Sequence, residues 1–278
     1  MTIRDILVHI DETPSAAVRA EIAAALADRH QSRLTGVFLR SAFRRNLWIS
    51  EATLYAAAMD IDAMVRDHAR TVDAAAEEAR IRFEALAADA CVVSDWLVID
   101  GDTDAALIDE ARRHDLTVLP VRARPLLSEN QIFAAQIGLA SGGPILVIAE
   151  DKHPRIPGRR VIVAWKNSRE SARALRDAWP LLAAAEEVHV ITVAQHGKIG
   201  PDSELQRHFE RHGVKAKIIV ATDKDFPPSQ VLRQEAANLN ADLIVMGLYG
   251  RPRFGELVLG GVTVELLDDP PVALFLSH

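Results

Sequence analysis

Short apolar runs separated by amphipathic stretches recur along the chain and predict an α/β protein. In the C-terminal half, the runs predict strands at Val161–Trp165, Val188–Val193, Lys217–Ala221, Leu243–Gly247 and Val272–Leu276. Helical periodicity between most of them predicts helices at Ser168–Ala185, Glu204–His212 and Ser229–Asn238. Strands that are apolar on both faces and alternate with helices are typical of a parallel sheet covered on both sides. In such sheets, ligands bind beyond the carboxyl ends of the strands.

The same pattern occurs twice along the chain. Each copy opens with a β-branched run, a turn that contains Ser or Thr, and an Ala-rich stretch that predicts a helix. Matches at a fixed spacing predict a tandem duplication. The matching segments are Asp5–Asp11 with Arg160–Lys166 at an offset of 155 residues, and Asp115–Pro120 with Asp242–Gly247 and Pro144–Ile148 with Pro271–Phe275, both at an offset of 127 residues.

The two offsets divide the chain into two predicted domains. They differ by 28 residues (155 − 127), so the first half contains an insertion, which we expect in an arm near 41–62. A long amphipathic helix is expected beyond it, from about Met59 to Ala88. A charged segment with two prolines and a glycine predicts a linker at 151–158, between a first domain at 1–150 and a second domain at 159–278.

Composition narrows the class of protein. Of 278 residues, 49% are apolar and 26% are charged, which is enough apolar side chain for a large core. No apolar run approaches the roughly 18 residues of a membrane span, and the N-terminus lacks the layout of a signal peptide, so we expect a cytoplasmic protein without membrane contact. Cys91 is the single cysteine, which excludes an intramolecular disulfide and a thiolate metal cluster.

Charge separates the two halves. The formal net charge of −7 argues against a nucleic-acid partner. Residues 1–150 contain 15 Lys and Arg against 23 Asp and Glu, whereas residues 151–278 contain 17 against 16, and every lysine lies in the second part. The asymmetry is compatible with drift between duplicated halves, or with an anion that only the second half binds.

A group of glycines after the fourth strand of the second half carries the densest chemical signal. Gly247 and Gly250 are followed, after nine residues, by Gly260 and Gly261, and then by a predicted helix. Glycine lets the backbone approach a ligand closely, and free amides at a helix start can bind phosphate oxygens. Arg251 and Arg253 add cationic donors. Glycines that only form two turns are the structural alternative.

The glycine pattern, together with Val163–Leu175, resembles the universal stress protein family over nearly the whole chain, as two family domains in tandem. The resemblance implies two doubly wound, five-stranded parallel sheets of the adenine nucleotide α-hydrolase-like, Rossmann-like fold, paired about a pseudo-two-fold axis. It also implies an ATP or ADP site in the second domain, with Mg²⁺ bound through the phosphates. The implied cofactor-binding residues are Ala164, Lys166, Val193, Met246, Gly247, Tyr249, Gly250, Gly260, Gly261, Val262 and Thr263.

Three residues depart from the family pattern or complicate it. Gly261 stands where the family has Ser or Thr, so one hydroxyl is missing while the amide remains. Lys166 stands where an acid is common; it could bind phosphate, indicate a different ligand, or simply be a solvated lysine. Trp165 could stack on a base, fill the base pocket, or belong to the core.

The first half lacks the phosphate-binding glycines. At the shared offset, Pro120, Ala123, Phe133 and Ala134 replace the four glycines, so this domain is expected to be degenerate and retained for packing or partner contact. It keeps Asp11 at the end of its first strand. A different small ligand that contacts Asp11 or His9 is the alternative, although a buried histidine in an apolar run is more often part of the core.

No catalytic or metal site emerges from the remaining residues. His208 and His212 share a helix face at i, i+4, but no glutamate of a zinc-protease motif accompanies them. The resemblance also implies that the last strands, at Pro144–Ile148 and Pro271–Phe275, pair within the chain; a further homodimer is left open. We therefore expect an ATP-binding stress or regulatory protein that acts by binding, with an interaction module or a slow ATPase as alternatives.

Overall fold

The computed structural model describes residues 2–40, 61–100, 104–121, 133–149, 155–193, 202–221, 226–253 and 256–278. Most of the expected arm at 41–62 and part of the linker at 151–158 lie outside the described residues. In the first half, strands and helices alternate from the N-terminus. The elements are β1 (Asp5–Ile10), α1 (Pro14–His30), β2 (Arg33–Arg40), α2 (Ile61–Asp89), β3 (Ser94–Asp100), α3 (Asp104–Ala111), β4 (Leu116–Pro120), α4 (Phe133–Ser141) and β5 (Ile145–Ile148).

The second half repeats this alternation. The five strands predicted for this half begin and end within one residue of the predicted bounds. The elements are β6 (Arg160–Ala164), α5 (Arg169–Asp177), α6 (Trp179–Ala184), β7 (Glu187–Val193), α7 (Ser203–Arg211), β8 (Ala216–Ala221), α8 (Pro228–Asn238), β9 (Leu243–Gly247), β10 (Gly250–Arg253), β11 (Glu256–Leu259), α9 (Gly261–Asp268) and β12 (Ala273–Ser277).

One predicted helix was wrong. The single helix expected at Ser168–Ala185 is divided at Ala178 into α5 and α6. Pro180 lies at the start of α6, where its missing N–H costs nothing, but within one long helix it would remove a hydrogen bond. The segment between Gly250 and Gly260, for which the sequence predicted no strand, forms the antiparallel hairpin β10–β11.

Ten strands form one continuous sheet in the order β3-β2-β1-β4-β5-β12-β9-β6-β7-β8. Neighbouring strands are parallel except at the centre, where β12 runs antiparallel to β5, with Phe275 opposite Leu146. Counted outward from this junction, the five strands of each half follow the same order: β5-β4-β1-β2-β3 on one side and β12-β9-β6-β7-β8 on the other. The two halves are therefore related by a pseudo-two-fold axis. The α/β fold class expected from the sequence is therefore confirmed.

The duplicated segments make the same contacts in both halves. In the first half, the Asp115 carboxylate accepts hydrogen bonds from the amides of Arg4 and Asp5, at 2.7 and 3.1 Å. In the second half, the equivalent Asp242 carboxylate accepts from the amides of three consecutive residues, Gly158–Arg160, at 2.7 to 3.1 Å. Each aspartate thus satisfies backbone donors that precede or open the first strand of its half.

Two apolar cores cover the faces of the sheet. One contains Ile6, Val163, Phe209 and Phe275, and the other contains Leu7, Ile162, Met246 and Leu276. Neighbouring residues of β1 and of β6 fall into different cores, because successive side chains of a strand point to opposite faces. None of the helices within the described residues combines the length and apolar character that a membrane crossing needs.

Candidate functional site

The crevice of the second half lies between the carboxyl ends of β6 and β9. After β6 the chain adds β7 and β8 on one side, and then returns to place β9 on the other side of β6. Ala164, the last residue of β6, is paired in register with Met246 of β9. Strand order reverses at this point, which is where open parallel sheets bind ligands.

Four of the implied site residues share one face of the sheet. Ala164, Val193 and Val262 are partly buried and pack against the core that contains Met246. Trp165 packs against the opposite core. The indole therefore does not fill the space beside Ala164 and Val193, which resolves the alternatives for Trp165 in favour of a core role.

Gly247 is required by packing against helix α5. A Cβ atom at this position would lie 2.7 Å from the carbonyl carbon of Glu170 and 2.8 Å from the amide nitrogen of Ser171. Real Cβ atoms essentially never approach backbone atoms this closely. The glycine thus permits the start of α5 to lie directly on the end of β9, a function in packing that the sequence did not indicate.

Tyr249 connects the β9 end to the start of α5. Its phenol oxygen lies 2.6 Å from the Ser168 hydroxyl and 2.7 Å from the Ser171 hydroxyl. Ser168 is also the N-cap of α5, accepting from the Ser171 amide at 3.3 Å. The Lys166 ammonium lies 5.9 Å from the centroid of the Tyr249 ring. In the sequence, Ser168 only begins a predicted helix and nothing distinguishes Ser171, because no motif links these serines to a tyrosine 81 and 78 residues further on.

The start of α9 is open at its N-terminus. Its N-cap is Gly260, which offers no side chain to the first-turn amides. The Gly260 amide donates to the Tyr249 carbonyl at 3.0 Å, which fixes the cap beside the tyrosine. Space around the Cβ position of Gly261 is empty within 4 Å. The first amides of any helix lack intrahelical acceptors, so this end can bind an anion.

Thr263 in the first turn of α9 has an unsatisfied hydroxyl. The residue is 1% exposed, and its Oγ1 has no hydrogen-bond partner within the part of the chain that the structure describes. Leaving such a group unpaired costs about 1–3 kcal/mol. This hydroxyl and the open amides lie together at one helix end. The backbone of Gly250 belongs to β10, and the side chains of 250–259, including the two arginines, lie outside what the structure describes.

The equivalent space in the first half is filled by side chains. His9 stands at the position of Ala164 and Phe133 at that of Gly260, and their rings meet edge to face with centroids 5.8 Å apart. His9 is 1% exposed, and neither ring nitrogen has a hydrogen-bond partner among the described residues. Burial, and secondarily the Arg19 charge, lowers the pKa of His9 to about 4. The ring is therefore neutral at pH 7.

Asp11 of the first half is already engaged. Its carboxylate forms a buried ion pair with Arg19 at 2.9 Å and accepts from the Thr13 amide and hydroxyl. The Arg19 charge and these hydrogen bonds outweigh burial and lower the pKa of Asp11. The Thr13 hydroxyl is thus taken from the role of capping α1. The sequence did not lead us to Arg19. It could have been found as a charged residue on the apolar face of an Ala-rich helix, eight residues after Asp11.

These features define a Rossmann-like α/β protein in which His9 and Phe133 fill the crevice at β1 and β4, whereas Ala164 and Gly260 stand at the equivalent positions beside β6 and β9. The profile of the universal stress protein family matches residues 158–276. The second half of the chain is a universal stress protein domain.

Solved structures extend the likeness to the whole chain. A universal stress protein from Archaeoglobus fulgidus DSM 4304 aligns with a TM-score of 0.75 at 16% identity, covering 99% of this chain and 98% of that one. A protein of Pseudomonas aeruginosa UCBPP-PA14 assigned to the universal stress proteins aligns with a TM-score of 0.55 at 16% identity, covering 99% and 93%. A universal stress protein in complex with cAMP aligns over 56% of this chain and 100% of its own, at 16% identity and a TM-score of 0.34. Curated protein sequences gave no match.

Proposed function

We propose that the second half binds an adenine nucleotide, ATP or ADP, at the carboxyl ends of β6 and β9. The observation that supports this most directly is the unsatisfied Thr263 hydroxyl beside the open first turn of α9. A polyphosphate would give this hydroxyl and the amides of Gly261 and Val262 the acceptors that they lack. Adenine and ribose would then lie against Ala164, Val193 and Met246, with Mg²⁺ bound through the phosphates.

The first domain is proposed to bind no nucleotide. His9 and Phe133 occupy the space that Ala164 and Gly260 leave open in the second half, and Arg19 neutralises Asp11. We propose the domain division at 1–150 and 159–278, with intrachain pairing through β5 and β12 in place of the contact between separate subunits. The protein would act in a stress or regulatory response in the cytoplasm, by binding rather than by fast turnover.

The substitution Thr263→Val tests the site with two opposite readouts. Valine keeps the shape and removes the hydroxyl, so nucleotide affinity by calorimetry should fall about 10-fold or more, since a hydrogen bond to a charged group is worth roughly 1.5–3 kcal/mol. The free energy of unfolding without ligand should stay the same or rise, because an unpaired buried hydroxyl is removed. Thr117→Val, at a buried threonine of the first half, is the matched control and should leave affinity unchanged.

Two results would count against the proposal. One is Thr263→Val protein that binds ATP as tightly as the original chain. The other is the absence of ATP or ADP binding at millimolar nucleotide with Mg²⁺, combined with none in native mass spectra of freshly purified protein. The second result would favour an interaction module of the same fold.

A further inference from the structure

Lys166 lies two residues after the end of β6 and carries a positive charge. The equivalent residue of the first half is an acid. Asp11 and Lys166 are equivalent at the offset of 155 residues. Asp11 is 7% exposed and paired with Arg19, whereas Lys166 is exposed. Ala174 occupies the position of Arg19 in the second half, so the duplication has exchanged a buried neutral pair for a single cation at the edge of the crevice.

No carboxylate lies within ion-pair distance of the Lys166 ammonium among the residues that the structure describes. The acid nearest in sequence, Glu170, pairs with Arg169 at 3.3 Å. A hydrogen bond with its own amide, and secondarily the Arg169 charge, lowers the pKa of Glu170. The ammonium instead lies 5.9 Å from the Tyr249 ring centroid, on the side of the crevice where β6 ends. It is a positive charge available to a ligand.

Tyr249 contacts the elements on both sides of this charge. Its carbonyl accepts from Gly260 at the α9 cap, its ring lies near the Lys166 ammonium, and its phenol reaches Ser168 and Ser171 at the start of α5. In the proposed nucleotide pose, the polyphosphate occupies the α9 side and the ribose lies against the strand ends at Ala164 and Met246, two residues before Lys166 and three before Tyr249. A second anionic group, on the ribose, would then face Lys166 and the hydroxyls of Ser168 and Tyr249.

We infer that the second-half site selects adenine nucleotides that carry a phosphate on the ribose, at the 2′ or 3′ oxygen, and that Lys166 binds this phosphate. The inference rests on the proposed nucleotide site and names its ligand class more narrowly. An acid at position 166 would repel such a group, whereas a lysine and hydroxyls attract it without demanding bidentate geometry.

The experiment compares three ligands on the full chain: ADP, ADP with a 3′-phosphate, and ADP with a 2′-phosphate. Calorimetry should give about tenfold tighter binding for one of the two ribose-phosphorylated nucleotides than for ADP, the value of one charge-assisted hydrogen bond. The identity of the preferred isomer assigns the oxygen. In Lys166→Gln the affinity ratio between that ligand and ADP should fall to about 1, and in Lys166→Asp it should invert.

The matched control is Lys217→Gln, which removes the same charge from the second position of β8 and should preserve the ratio. Equal affinity of the original chain for all three ligands overturns the inference and leaves the proposed nucleotide site intact. A ribose-phosphate preference that survives Lys166→Asp also overturns it. Failure of ADP and both phosphorylated ligands to bind overturns the nucleotide site itself, and the inference with it.

Discussion

Substitution of Gly247 by alanine is expected to destabilise the protein although alanine is the smallest possible side chain. The new methyl group would lie 2.7 Å from the Glu170 carbonyl carbon, and ordinary van der Waals contact begins at 3.4 Å. The Glu170 carbonyl carbon and the Ser171 amide nitrogen, which the methyl group would contact, are both backbone atoms. The start of α5 must therefore move away by roughly 0.7 Å, or β9 must bend. Overpacking of this kind costs about 1–3 kcal/mol.

A smaller favourable effect opposes this cost. Replacing glycine by alanine restricts the unfolded chain and contributes about 0.4–1 kcal/mol of stability where the native backbone accepts it. The net loss for Gly247→Ala should be about 1–2 kcal/mol. Gly261→Ala is the matched control, because its Cβ position has no neighbour within 4 Å and lies in the first turn of α9. Its unfolding free energy should stay the same or rise by up to about 1 kcal/mol.

Urea unfolding followed by tryptophan fluorescence measures both variants against the original chain. Gly247→Ala should lower the midpoint without changing the slope, since the folded surface is the same. Equal midpoints for the two variants would refute the packing function assigned to Gly247. Because Ser171 lies in α5 and Ser168 is its N-cap, and both contact Tyr249, the same displacement should also weaken nucleotide binding in Gly247→Ala.

Four further substitutions give three more tests of the fold. His9→Gln should flatten the pH dependence of the unfolding free energy. Burial lowers the pKa of His9 from 6.5 to about 4, so the unfolded state takes up the proton first as pH falls, and only the original chain should lose about 3 kcal/mol between pH 6.5 and 4. Parallel stability curves for the two proteins would contradict this. Asp242→Asn should lower the unfolding free energy by about 2 kcal/mol and Asp115→Asn by about 1 kcal/mol. Asp242 loses more because it accepts hydrogen bonds from three amides, whereas Asp115 accepts from two. A larger loss for Asp115→Asn in urea unfolding would contradict this explanation. Gly138→Ala should lower the midpoint of thermal unfolding, although alanine has the higher helix propensity, because the new Cβ would lie 2.8 Å from a Leu248 methyl group. A higher midpoint in scanning calorimetry would contradict this expectation.

The strands and most helices were predictable because their signals are local. Buried strands such as β9 contain only apolar side chains between polar turns, and α8 has a clear start at Pro228. The alternation of these strands with helices predicted the α/β class, and the equal spacing of the duplicated segments predicted two domains, without any long-range contact. The fold follows from patterns that persist over five to thirty residues.

The contacts of the crevice were less predictable, because they join residues far apart in the chain. Nothing near Gly247 indicates that α5 rests on it, and nothing near Ser171 indicates Tyr249. The glycines indicated an open helix start at α9, but the hairpin before it depends on pairing between β10 and β11 that carries no strong alternation in sequence. The assignment of a nucleotide to this site stays a prediction.

β12 pairs with β9 on one side and with β5 on the other, so it forms the seam between the two halves. A displacement of β9 would therefore reach the first half across a single intervening strand. Both partners of the seam belong to one polypeptide, so dilution does not separate them. A signal passed across this seam would keep the same strength at low and at high cellular abundance, which an assembly of separate subunits would not guarantee.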